Sequence, residues 1–159
     1  MENFDSEHFS VKSVKESRYS YGRLFIGNLY YNSTKIAVFE SAEHGAPLNV
    51  RYADEDMEDM FKSYCRTIED DDGFINTEET IIERMVNTFL VRKKVMAARK
   101  KKTYFSAIDE GVECEFEFKY PYSESVVNHI KSEYGENLVS IANELFDIYP
   151  DGIERVIQV

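Results

Sequence analysis

The stretch Thr103-Tyr-Phe-Ser-Ala-Ile-Asp-Glu-Gly-Val-Glu-Cys-Glu-Phe-Glu-Phe-Lys-Tyr120 reads as a β-hairpin. Thr103–Ile108 and Val112–Tyr120 are rich in strand formers, and Asp109-Glu110-Gly111 supplies the turn between them. The second strand alternates cleanly. Glu113, Glu115 and Glu117 fall on one face, and Val112, Cys114, Phe116 and Phe118 on the other, the period of two that a half-buried strand needs. Pro121 ends it, because proline has no N–H for a ladder.

Upstream of the hairpin the period is helical. Asn76 with Glu79 fits a capping box, and Ile82, Met85, Val86, Phe89, Val91 and Met96 recur at helical spacing to about Lys100. Before that, Asp54–Arg66 places Met57, Met60, Phe61 and Tyr64 on one side, with acids in the first turn where the helix dipole favours them. The first third changes period again. Residues 9–19 (Phe9, Val11, Ser13, Lys15 in alternation), Gly22–Tyr31, Lys35–Ser41 and Leu48–Tyr52 read as strands of a small antiparallel meander. Downstream, a helix starting at Ser123 or Ser125 carries Val126, Val127, Ile130 and Tyr134 and stops at Gly135. A second helix is expected over Glu136–Ile148 with Leu138, Ile141, Ala142, Leu145 and Phe146, and the tail Gly152–Val159 is a last strand or a frayed end. Strands and helices thus lie in blocks, which is the pattern of an α+β fold, and 159 residues suit a single domain over 1–159.

Apolar residues make up 43% of the chain, enough for a packed core, and no apolar run approaches the roughly 20 residues of a membrane span. Met1–Ser10 is polar and acidic, unlike a secretory signal, and Cys65 and Cys114 are isolated, so a reduced, cytoplasmic location is expected, with no membrane partner.

Charge is segregated along the chain. Arg84–Lys102 holds eight cations and no carboxylate, although the net charge is -11. Asp54–Glu83 holds twelve acids against Lys62 and Arg66, and Thr103–Val159 twelve acids against Lys119, Lys131 and Arg155. Segregation of this kind marks a surface for a charged partner, or two segments of one chain that meet each other. The candidate binding residues are Arg92, Lys93, Lys94, Arg99, Lys100, Lys101 and Lys102, with Tyr104 and Phe105 beyond them to stack on bases if the partner is nucleic acid. The plainer reading pairs Lys101 and Lys102 with the acidic face of the strand Glu113–Glu117. For the acidic stretch, mimicry of a nucleic acid stands against a solvated helical face.

Three further patterns carry chemistry elsewhere. Leu24-Phe-Ile-Gly-Asn-Leu29 resembles the first ribonucleoprotein motif of RNA-recognition-motif domains, which implies that Phe25 stacks on a base. The second motif is missing, and the topology requires that Lys35–Ser41 not be a strand. Asp70–Glu79 resembles an EF-hand loop with Gly73 at the obligatory glycine, but Ile68 stands at the first ligand position, so no metal is assigned. His8, His44 and His129 are isolated, and no HxxxH, GxSxG or phosphate-cradling loop occurs. The chain is therefore read as not an enzyme and without a cofactor, with a small enzyme of unknown reaction kept as an alternative.

The layout is similar to uncharacterised small cytosolic proteins of phages and mobile elements. The likeness rests on the strand pair ending in Glu43-His44-Gly45, on Lys102-Thr103-Tyr104-Phe105, and on Tyr120-Pro121-Tyr122-Ser123 followed by Lys131-Ser132-Glu133-Tyr134-Gly135. It implies an origin and no chemistry. The expected function is that of a non-enzymatic interaction protein, phage or mobile-element encoded, which binds a host macromolecule through charged surfaces. A host protein is the first partner and nucleic acid, bound through residues 92–102, the alternative.

Overall fold

The computed structural model describes residues 1–20, 22–70 and 72–151, so the expected tail Gly152–Val159 lies outside the described residues. The fold is mixed α+β: an antiparallel four-stranded sheet, two helices, a three-stranded sheet and C-terminal helices. The chain forms two compact units. One is Phe4–Phe89, and the other is the chain from Leu90 onward together with Met1–Asn3.

The first unit opens with β1 (Phe9–Tyr19), β2 (Gly22–Tyr31), β3 (Thr34–Glu40) and β4 (Asn49–Tyr52), hydrogen-bonded in that order as an antiparallel meander. β1 departs from simple alternation. Phe9 and Val11 point into the core, but the register with β2 shifts between Lys12 and Lys15, and Ser13 takes φ 55. That bulge moves the phase by one residue, so Val14 is buried at 5% exposure. In β2 Phe25, Gly27 and Leu29 face inward, while Leu24, Ile26, Asn28 and Tyr30 face away. Phe25 is 7% exposed and meets Phe39 edge-on, with ring centroids 6.0 Å apart. Both facts exclude the RNA-recognition-motif reading: Phe25 is core, and the segment that had to be helical is β3.

α1 (Glu55–Thr67) begins at Asp54, whose carboxylate accepts the Met57 N–H at 2.9 Å. It buries Phe61 and Cys65, and Phe61 meets Phe9 of β1 at a centroid distance of 5.1 Å. In the turn that follows, Asp70 Oδ1 accepts the N–H groups of Asp72 and Phe74 at 3.1 and 2.8 Å. The carboxylate that an EF-hand loop would give to calcium thus holds the turn, and among the described residues no three His, Cys, Asp or Glu side chains gather to hold a metal. α2 spans Glu78–Ala98, its residues through Phe89 in the first unit. Its cap is Thr77, whose hydroxyl accepts from Thr80 N at 3.4 Å, and not Asn76, which is buried with its amide donating to the Ile68 carbonyl at 3.1 Å. Ile81, Ile82, Met85 and Val86 of α2 are buried.

In the second unit β5 (Thr103–Asp109) is the middle strand of a three-stranded antiparallel sheet, between β6 (Val112–Phe118) and β7 (Leu138–Ile141). Phe105, Ala107 and Ile141 lie on one face and pack with Val126 and Ile130 of α3 (Glu124–Tyr134). Ser123 caps α3, its hydroxyl accepting from Val126 N at 3.3 Å, and Gly135 ends it at φ 53. Tyr104, on the other face, packs with Val95 of α2 and with Ala142 and Ile148. The helix expected over Glu136–Ile148 does not form. Leu138–Ile141 is strand β7, preceded by a 3-10 turn over Gly135–Asn137 and followed by the single α-helical turn α4 (Ala142–Leu145). Pairing with β5 satisfies the backbone of Leu138–Ile141 and buries Ile141, which outweighs a helical spacing of apolar residues.

Candidate functional site

The cationic site is built where α2 gives way to β5, within the second unit. Val95 is fully buried, which fixes the side of the helix that faces the core and turns Arg92, Lys93 and Lys94 toward solvent. After Ala98 the chain tightens: the N–H groups of Lys101 and Lys102 both donate to the Ala98 carbonyl at 2.9 Å. The cations Arg99–Lys102 therefore follow directly on the carbonyl-rich end of a 21-residue helix, where the dipole favours positive charge.

The eight sequence-selected residues do not share one environment. Lys102 Nζ donates to Glu117 Oε2 at 2.9 Å. That hydrogen bond holds the Lys102 ammonium above its ordinary range and the Glu117 carboxyl below its own. Here the plainer reading of neutralised charge holds. Lys94 Nζ sits 4.6 Å from the centroid of the Tyr104 ring. Arg99 is drawn inward, Nη1 donating to the Met96 carbonyl at 2.8 Å. Lys93, Lys100 and Lys101 remain exposed with no ion pair among the described residues, and Arg92 is exposed beside them in sequence. Tyr104 is 8% exposed and Phe105 2%, so the base-stacking role expected of these rings is not open to them. Tyr104 is core, its N–H bound to Asn143 Oδ1 at 3.1 Å and one ring face under Lys94.

A second polar cluster lies in the first unit, around an open cleft of about 350 Å³ lined in part by Lys62, Cys65, Asn76 and Glu78. Tyr52 donates its hydroxyl to Glu78 Oε2, and Lys62 lies 3.8 Å from Glu78 Oε1 and 2.5 Å from Glu58 Oε1. No motif announces these groups, because they come from β4, α1 and α2. Their ionisation runs against nucleophilic chemistry. Burial, reinforced by the Glu78 carboxylate, pushes the Cys65 thiol up to about 12, and the same two causes raise the Tyr52 phenol. A thiol so placed is protonated at neutral pH. His44 lines another open cleft, of about 210 Å³, with Arg23, Glu79 and Glu83. Its side chain is 78% exposed, its near carboxylate is its neighbour Glu43 at 3.7 Å, and Arg23 is bound to Glu16 and Asn87. His129 is engaged by Glu133 at 3.1 Å, and His8 by Asn32 at 3.3 Å.

No helix of the described residues is long and apolar enough to cross a membrane. Compared with known proteins, the chain matches no family model, no curated protein and no solved structure.

Proposed function

We propose that this chain is a non-catalytic interaction protein that grips an acidic surface of a partner protein through the cationic end of α2. One observation carries the reading. Lys93, Lys100 and Lys101 stay exposed and outside any ion pair among the described residues, although the chain carries thirty carboxylates and folds one of them onto Lys102. Unpaired lysines in so acidic a molecule keep a local field that steers an anionic partner. A protein is favoured over nucleic acid for two reasons. The net charge of -11 repels a polyphosphate, and the burial of Tyr104 and Phe105 removes the stacking platform that single strands use.

The test is affinity capture from the native cell, with and without nuclease, using the wild-type chain and a Lys93→Glu/Lys100→Glu/Lys101→Glu variant. These side chains are exposed, so the variant keeps its fold, which circular dichroism checks. The expected outcome is a protein that co-elutes with the wild type in both arms, falls away as salt rises, and is lost from the variant. Equal capture by the two proteins overturns the site. Capture abolished by nuclease transfers the site to nucleic acid.

A further inference from the structure

The outer face of the first unit's sheet is a second charged surface, independent of the α2 end. Residues opposite one another in an antiparallel ladder share a face. One row across the sheet is Lys12, Asn28, Val38 and Arg51, and the next is Lys15, Ile26 and Glu40. Tyr30 and Lys35 follow in a third row. Lys12, Lys15, Lys35 and Arg51 are all exposed and form no ion pair among the described residues, against the single carboxylate of Glu40. They surround an aliphatic centre in which Ile26 is 44% exposed and Val38 half-buried. Lys12 and Arg51 stand three strand spacings apart, about 14 Å. An apolar centre within a charged rim is the anatomy of a protein interface. Nucleic acid fits less well, since Lys12 already lies over the Tyr30 ring of this face, 4.6 Å from its centroid.

The same unit carries the complementary shape. In the turn between α1 and α2, Phe74 is 69% and Ile75 61% exposed, flanked by the carboxylates of Glu69 and Asp72. Asp70 grips the turn through two backbone N–H groups, so the apolar pair is presented on a fixed loop. α1 and α2 cover the inner face, as the contacts of Phe61 with Phe9 and of Glu83 with Arg23 show. The loop that joins them is therefore on the opposite side from the outer face, and one chain cannot bring its own loop to its own sheet.

We propose that the occupant of the outer face is a second copy of this chain, whose Phe74 and Ile75 seat on Ile26 and Val38 while Glu69 and Asp72 meet the cationic rim. Because the loop and the face lie on opposite sides of the unit, the contact is head-to-tail, and further copies add in the same sense to give a ring or an open chain.

Sedimentation of the full chain over a range of concentrations tests it, with Phe74→Ser, Ile26→Ser, Lys15→Glu, Asp72→Lys and the Lys15→Glu/Asp72→Lys pair. All alter exposed side chains. The expected result is an average mass that climbs with concentration from 18.6 kDa to beyond twice that value, less so at higher ionic strength. Phe74→Ser weakens association roughly tenfold or more, as does Ile26→Ser. Each single charge reversal weakens it, and the paired reversal recovers part of the loss. A monomer at every concentration overturns the proposal, and so does an assembly indifferent to both serine variants. A monomer that binds labelled oligothymidylate, and loses it on Lys15→Glu, also overturns it and assigns the face to nucleic acid. None of these variants touches the α2 end, so failure here is distinct from failure of the partner-binding function.

Discussion

Gly27 shows how one residue can be demanded by packing alone. A Cβ built there would lie 2.5 Å from Cζ of Phe39, a ring that is fully buried and has no room to swing away. Gly27→Ala is expected to cost about 1–3 kcal/mol, read as a lower midpoint in urea unfolding with an unchanged slope. Cys65 makes the complementary point for ionisation. Its thiol is held protonated up to about 12 in the folded chain, against 9.0 for an ordinary thiol. The unfolded chain releases that proton first, so the Cys65 contribution to stability is intact below pH 9 and is lost progressively as pH climbs toward 12. Urea melts across that window should fall less steeply for Cys65→Val, whose side chain is of similar size and does not titrate. Equal slopes for the two proteins would contradict the assignment.

At the level of elements, what could be read from the residues followed from how local the cause was. α1 and α3 announced themselves through Asp54 and Ser123, because a cap acts within three residues of its helix. The hairpin β5–β6 was legible from the turn Asp109-Glu110-Gly111 and from strict alternation, and Gly111 takes φ 81 as the turn requires. β7 was not legible. Leu138, Ile141, Ala142 and Leu145 sit at spacings that suit a helix, and only the distant strand β5 makes Leu138–Ile141 extended. The same holds for the one-residue phase slip at Ser13, which no local residue pattern declares. In the cationic site, the exposed lysines were legible as a run of like charge. The burial of Tyr104 was not, since it depends on Asn143, Ala142 and Ile148 from the far end of the chain.

At the scale of the whole molecule, charge does more than colour the exterior. A net charge of -11 is composed of an acidic majority and of cations gathered at one helix end and on one sheet face, and those exceptions are what the two proposals use. Acidity also guards a weak point. β6 is an outer strand with one side of its backbone unpaired, and its residues Val112, Cys114, Phe116 and Phe118 are of the kind that stack into fibrils. Glu113, Glu115 and Glu117 interleave with them. Glu117 stays ionised below the ordinary carboxylate range because of Lys102, and Glu113 does so because of the N-terminal ammonium of Met1. Those two charges therefore persist further into acid than an ordinary carboxylate's. Solutions at about pH 2, with enough salt to screen the cations, should grow thioflavin-positive fibres that seed fresh protein, whereas neutral solutions stay clear. Three glutamates on a seven-residue strand would then be what separates a soluble chain from a self-templating one.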